Sequence, residues 1–536
     1  MIRDPIRAGL ASGWKVTDAS ALERDLVLDA DVAIVGTGAG GGVTAEILAE
    51  AGLDVVLVEE GPLKSSADFR MAEAEAYPQL YQESAARKTL DKAITILQGR
   101  NVGGSTTVNW TSSFRTPEAT LEHWRERFGL AELTTPALAP WFERMERRLA
   151  ISPWSVPANE NNDLLRRGGE KLGIATAAIR RNVSGCLNLG YCGMGCPTNA
   201  KQSMLVTTIP AALDRGARLV CLARAERLRL NRGRADALEC RALDARGVHA
   251  TERRITVRAR HYVVAAGGIG SPALLLRSGA PDPFRVLGFR TFLHPTVISA
   301  AVMPNPVHGY AGAPQTIYSD HFLERGAVDG PIGFKLEAAP LHPVLFGMTL
   351  QGFGEGHAEK MKTFPNAHVL IALLRDGFHP GSPGGNVGLR GDGSPVLAYG
   401  LTPYVWDGVR RALLAMAEIQ FAAGARDVLP VHERARPYAS WAEAKAGIAA
   451  LPLEPLLTRV VSAHVMGGCA MADVPQRGVV DAAGRHFQIE NLSVHDGSVF
   501  PTSLGVNPQL TIYALTARNA VGLAATLTGR LAGAGA

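Results

Sequence analysis

A strand, a glycine-rich turn, a helix and a second strand follow one another without interruption near the start of this chain. The first strand is read at Asp31-Val-Ala-Ile-Val35 and the turn at Gly36-Thr-Gly38-Ala-Gly-Gly41. The second strand, Asp54-Val-Val-Leu-Val58, ends in Glu59. Gly36 permits the tight turn, Gly38 lets backbone approach a pyrophosphate, and Gly41 lets the helix pack close to its strand. The free N–H groups and positive dipole end of that helix then face phosphate. Glu59 follows Gly41 by eighteen residues, about where an acid hydrogen-bonds a ribose hydroxyl. A chain with 58 glycines produces glycine patterns by accident. An ordinary βα turn, however, does not explain both flanking strands and the acid together.

The remaining bulk properties exclude more than they assert. At 536 residues the chain exceeds one simple core, so two domains or one large elaborated unit are expected. Net charge is +5 from 55 basic and 50 acidic residues, too small a surplus to argue for nucleic acid. The N-terminal stretch Met1-Ile-Arg-Asp-Pro-Ile-Arg lacks a secretory apolar core, and no apolar run reaches the length of a membrane span. A cytoplasmic location is the expectation, with peripheral membrane contact left open. Six cysteines are too few for a disulfide scaffold, but Cys186, Cys192 and Cys196 crowd into eleven residues.

Cofactor-binding character recurs at three separated places along the chain. The expected fold class is therefore α/β, with a Rossmann-like dinucleotide domain assembled from residues 25–120, 195–285 and 460–536. A helical and cysteine-loop insertion occupies 121–194. An α+β substrate domain with an antiparallel sheet is inserted at 286–459. Strong helices are read near 406–424 and 508–530.

Further motifs carry a family resemblance. They are Gly99-Arg100-Asn-Val-Gly103-Gly104-Ser105-Thr-Thr-Val-Asn109, Ala266-Gly267-Gly-Ile-Gly270-Ser271-Pro272, Ser462-Ala-His464-Val-Met-Gly467-Gly468, Asp496-Gly497-Ser498 and Gly505-Val-Asn507-Pro508. In this order they resemble the signatures of the glucose-methanol-choline (GMC) family of FAD-dependent oxidoreductases. Gly268 departs from the small non-glycine residue expected at its place. The resemblance implies bound FAD contacted by Gly36, Gly38, Gly41, Glu59, Arg100, Gly103, Gly104, Ser105, Asn109, Ala266, Asp496, Gly497 and Asn507. Asn109 stands near where some members carry a histidine bonded to flavin, so FAD is expected to be held non-covalently.

The same resemblance makes His464 and Asn507 the catalytic pair. His464 would accept the hydroxyl proton of an alcohol and Asn507 would donate to its oxygen. Flavin N5 would take the hydride. The Gly-Val-Asn-Pro wording resembles the cholesterol oxidase and long-chain alcohol oxidase branches, which points to an apolar alcohol. Oxygen or another acceptor would reoxidise the flavin.

The cysteine loop divides the alternatives. Cys186, Cys192 and Cys196, with Pro197 after the last, have spacing suited to an iron–sulfur cluster, by resemblance a [3Fe-4S] cluster in a dehydrogenase that passes electrons to a partner. The Cys192–Gln202 stretch also resembles a loop of long-chain alcohol oxidases with no cluster. Free thiols, a disulfide or another metal stay open. A lyase on the same fold is a further alternative. Phe353, Met348 and Trp406 are candidate pocket residues with an equally ordinary reading as core.

Overall fold

The computed structural model describes residues 4–323 and 325–529. Residues 1–3 of the lead-in and 530–536 of the last segment lie outside the described residues. The fold is built on two eight-stranded sheets.

In the first sheet the parallel order is Lys15–Asp18, Arg218–Cys221, Val55–Val58, Leu26–Val35 and Ala250–Val264. The long strand Ala250–Val264 carries two further neighbours. Its final residues pair in parallel with Leu492–Val494, and its first half continues antiparallel into Arg234–Leu243 and Ala223–Asn231. Val32 to Ile34 and Val55 to Val58 are almost completely buried, so these strands read as unbroken apolar runs. A parallel sheet covered on both faces produces that pattern. Helix Ala39–Glu50 lies against strands Leu26–Val35 and Val55–Val58 and is packed in turn by helices Thr208–Asp214 and Gln509–Thr528.

The second sheet runs Ile94–Ile96, Val460–Ser462, Thr296–Val302, Ala367–Leu374, Phe334–Ala338, Ile317–Ser319 and Ala177–Ala178, with Asp427–Pro430 also paired to Thr296–Val302. It is antiparallel except where Ile94–Ile96 runs alongside Val460–Ser462. Three of its strands thus come from outside residues 286–459. Helix Pro403–Ala422 covers one face. Thr402 caps it by accepting from the Val405 N–H, and Pro403 opens it, where a missing N–H costs nothing. Val405, Val409, Ala412, Leu413 and Met416 form its buried stripe.

Successive strand residues point to opposite faces. Val297, Leu370, Ala372 and Leu374 join the core beneath that helix. Their neighbours Ile298, Val369, Ile371 and Leu373 turn the other way and line a cavity. No helix among the described residues is long and apolar enough to cross a membrane.

Candidate active site

One cavity of about 1030 Å³ runs from the glycine-rich turn to the apolar face of the second sheet. At its first end lie Gly36, Gly38, Ala39, Gly40, Glu59, Glu60 and Arg224. Gly36 has φ +95°, and a Cβ there would sit 2.4 Å from the Ala265 carbonyl oxygen, so the turn requires glycine. Helix Ala39–Glu50 begins without a side-chain cap, leaving its first N–H groups for a ligand. A Cβ built on Gly104 would stand 2.8 Å from Gly38 Cα, so the two glycines let their backbones approach closely at the cavity edge. Glu59 is buried and burial pushes its carboxyl up. Its Oε2 accepts from both the Thr37 N–H and the Thr37 hydroxyl, and its Oε1 accepts from the Gly61 N–H and keeps a second lone pair for a ribose hydroxyl. Glu60 pairs with Arg224 at 2.8 Å and Arg100 at 3.5 Å.

The middle of the cavity joins distant segments. Asp496 accepts from the Gly267 N–H at 2.7 Å, the Ser271 hydroxyl at 2.5 Å and the Ser498 N–H at 2.7 Å. It ties the Ala266–Ser271 turn to Gly497. Gly268 is required because a Cβ would stand 2.7 Å from the Val465 carbonyl oxygen, beside His464. Asn109 donates from Nδ2 to Gln509 Oε1 at 2.7 Å and accepts from the Thr111 N–H. Gln509 also donates to the Ser112 carbonyl. These bonds hold the 105–112 segment against the start of the last helix.

His464 and Asn507 both line this cavity. His464 sits in the turn between strands Val460–Ser462 and Val465–Gly467, with Ser462 Oγ bonded to both its N–H and its carbonyl. Its Nδ1 lies 2.9 Å from His294 Nδ1, and His294 Nε2 accepts from the Gly505 N–H at 3.0 Å. The two rings cross nearly at right angles, 87°. Burial holds the imidazolium form of His464 down, to about 4, and that of His294 well below its usual range. Burial thus favours the neutral form of both rings. Asn507 also bonds the buried Glu337, whose carboxyl is pushed up to about 7 by burial and also accepts from Gln315. Asn507 Oδ1 is buried without a protein partner. An orphaned acceptor on a cavity wall fits a ligand that belongs there.

Not every expected residue reaches the cavity. Gly36, Gly38, Glu59, Gly104, Ser105, Asn109, Ala266, Asp496, Gly497, His464 and Asn507 line it. Gly41 stands behind it, where a Cβ would lie 1.9 Å from the Gly36 carbonyl oxygen; Gly103 donates its N–H to Thr37. Arg100 turns away, toward Glu60 and the Gly247 carbonyl. Met348 lines the cavity, Trp406 packs on the second sheet's core, and Phe353 is 93% exposed. Sequence reasoning missed His294, Gly505's donor role, Glu337 and Gln315. Only Glu337 left a trace, as an acid inside the apolar run Phe334–Ala338.

The expectation of a cluster at Cys186, Cys192 and Cys196 is corrected. Among the described residues no group of three or more His, Cys, Asp or Glu side chains is placed to hold a metal ion. All six cysteines are free. The loop's thiols are engaged singly: Cys186 accepts from the Asn188 N–H, Cys192 from Arg181, and Cys196 meets the Thr198 hydroxyl. A buried ammonium organises the loop instead. Lys201 donates to the carbonyls of Thr107, Asn109 and Cys192 at 2.6–2.8 Å, and burial lowers its pKa to about 8.

A Rossmann-like sheet, an open helix N-terminus and a His–Asn wall in one cavity define a dinucleotide-dependent oxidoreductase. Comparison with known proteins makes the class specific. Models of the GMC oxidoreductase family match residues 77–296 and 380–516. An uncharacterised GMC-type oxidoreductase of Sinorhizobium fredii is 30% identical over 93% of this chain and 95% of its own length. A long-chain-alcohol oxidase of Arabidopsis thaliana is 27% identical over 93% of this chain and 67% of its own. The crystal structure of pyridoxine 4-oxidase from Mesorbium loti shares the fold, with TM-score 0.65, 20% identity, and coverage of 91% of this chain and 98% of that one. The chain belongs to the GMC oxidoreductase family and is an FAD-dependent oxidoreductase.

Proposed function

We propose that this protein oxidises the CH–OH group of an apolar, long-chain alcohol to a carbonyl, with FAD held non-covalently. The observation that carries the reading is the single cavity joining the cofactor groove to the His464–Asn507 wall and then to an apolar surface. Pyrophosphate would lie at the open start of helix Ala39–Glu50, and ribose against Glu59. Ala266, Asp496, Gly497 and Asn109 would border the flavin ring. Asn109 is a carboxamide already engaged by Gln509, and it has no nitrogen able to bond covalently to flavin. Bound flavin supplies a hydride acceptor next to the substrate carbon.

His464 and Asn507 would hold the substrate oxygen. The alcohol loses its hydroxyl hydrogen as a proton and its carbon-bound hydrogen with the electron pair. Ile298, Leu341, Phe346, Val369, Ile371 and Leu373 give the chain beyond the carbinol carbon an apolar surface, and each buried methylene contributes about 0.8 kcal/mol. Relatives that act on long-chain alcohols agree with this wall. Oxygen or another acceptor would reoxidise the cofactor.

Mixing the FAD-loaded protein anaerobically with primary alcohols of increasing chain length tests the proposal. Loss of the oxidised-flavin absorbance, faster for longer chains, is expected. Bleaching only by short polar alcohols removes the apolar assignment. Product formed with the flavin unchanged replaces oxidation by a lyase reaction.

A further inference from the structure

We propose that Glu337 is a positioning residue for Asn507: its carboxyl, carrying a hydrogen, donates to Asn507 Oδ1 and so turns the Asn507 Nδ2–H group into the cavity as a donor. The inference deepens the alcohol-oxidising reading and rests on it for the oxygen that this donor meets.

Glu337 stands on the cavity side of the second sheet. It pairs with Ile371 across the strands, and Lys335 pairs with Leu373. Residues directly opposite in an antiparallel pair share a face, and Ile371 and Leu373 line the cavity. The alternate residues Phe334, Leu336 and Ala338 enter the core under helix Pro403–Ala422. An acid on such an apolar floor is buried and needs partners for both oxygens. Oε2 accepts from Nε2 of Gln315, which itself lines the cavity and is held at φ +50°, a region few non-glycine residues enter. Oε1 has no partner among the described residues, and neither has Asn507 Oδ1, although Asn507 reaches this same carboxyl.

One hydrogen resolves both. An amide nitrogen only donates, so Oε2 must accept from Gln315, and a hydrogen on the carboxyl belongs to Oε1. A carboxamide turned half over keeps its shape and exchanges Oδ1 for Nδ2. Asn507 Oδ1 then takes the Oε1 hydrogen, and the place of the bare acceptor is filled by an N–H aimed at the ligand. The charges around Glu337 permit this. Lys335, two residues along the strand, is held by Asp320 at 2.7 Å, with its ammonium over the rings of Phe114 and Tyr318. Tyr318 is also the neighbour of Glu337 on the next strand, and His294, on which Lys335 acts too, is kept neutral by burial. Lys335 and Asp320 act on the Glu337 carboxyl in opposite senses, and burial prevails, raising it to about 7. Loss of the hydrogen would draw Nδ2 back to the carboxylate and leave Oδ1 facing an oxygen that gains negative charge as the alcohol reacts. The alcohol's own proton goes to neither residue; the His464 imidazole, kept neutral by burial, remains its acceptor.

The hydrogen is read directly by infrared difference spectroscopy of the FAD-loaded protein between about pH 6 and 8, on either side of the raised Glu337 value. A carboxylic-acid C=O band that is lost as pH rises, and is missing at every pH in Glu337→Gln, is expected. If Glu337→Gln removes no such band, the proposal is overturned. In the wild type kcat/KM should fall about a hundredfold across the same ionisation. Glu337→Gln cannot ionise, yet it can accept from Gln315 and donate to Asn507 Oδ1. It should stay within about threefold of the wild-type acid plateau and lose the alkaline fall. Glu337→Met can do neither and should lose at least about tenfold at every pH.

A loss in Glu337→Gln as large as in Glu337→Met, or an alkaline fall that persists in Glu337→Gln, would make Glu337 merely structural and overturn the proposal. If Glu337→Met does not fold, the infrared band and Glu337→Gln decide alone. Failure of every alcohol to bleach the flavin removes the ligand assignment but leaves the carboxyl band as it is, so the two failures are distinguishable.

Discussion

Asn507 and Gly505 stand two residues apart and fail in different ways when changed. Asn507→Ala removes a cavity contact and a partner of the buried Glu337, so kcat/KM should fall about a hundredfold and stability by about 1–3 kcal/mol, read by denaturant unfolding. Gly505→Ala forces a side chain into a left-handed backbone and against Arg375. It should cost about 1–2 kcal/mol of stability, read by denaturant unfolding, and should also disturb the pH profile through His294. The sequence exposed both positions because each sits in a motif. His294 stayed hidden because its role depends on Gly505, 211 residues later in the chain. Local spacing cannot register a bond of that span.

The first helix and the cysteine loop show what elements demand. Helix Ala39–Glu50 passes so close to the 495–496 backbone that a Cβ on Gly40 would lie 1.5 Å from the His495 carbonyl oxygen. Gly40→Ala should therefore yield little folded protein and no bound flavin. Gly356→Ala has open space around it and should be neutral or stabilising by about 0.5 kcal/mol in the same unfolding assay. In the cysteine loop, Lys201→Met would strip the donor from three carbonyls. It should cost about 3 kcal/mol or more and lower the flavin content measured after gel filtration. Cys186→Ser with Cys192→Ser and Cys196→Ser should leave flavin content and activity within about twofold, with no iron bound in either protein. The β-α-β unit was legible because its apolar runs and glycines are consecutive. The cysteine spacing misled because it carries no sign of Lys201, which ties Cys192 to the Thr107 and Asn109 carbonyls.

Over the whole molecule, buried titratable groups set the acid limit. His261, His294, His368, His464, His486 and His495 all have their charged forms suppressed by burial, while an unfolded histidine titrates near 6.5. Below that pH the unfolded chain binds protons that the folded one refuses, so stability falls as pH drops toward 4. Glu337, raised to about 7, and Asp376, raised to about 6, act in the opposite sense, and their contribution is lost as pH rises through those values. Glu59 and Asp496, also pushed up by burial, act with them, and the six histidines outweigh these four carboxyls. The urea midpoint of the holoprotein should be highest near pH 6.5–7 and fall steeply toward pH 5; a midpoint that rises on acidification would contradict this burial pattern. At the same scale, the second sheet draws strands Ile94–Ile96 and Val460–Ser462 from either side of its main segment. A protein engineer who transplanted residues 286–459 from a relative, hoping to import a new alcohol preference, would split this sheet. The graft would inherit three host strands, Ile94–Ile96, Ala177–Ala178 and Val460–Ser462, and the last leads straight into His464 on the cavity wall. Recombination breakpoints belong outside all three strands, so the apolar surface and the residues beside it in this scaffold travel together.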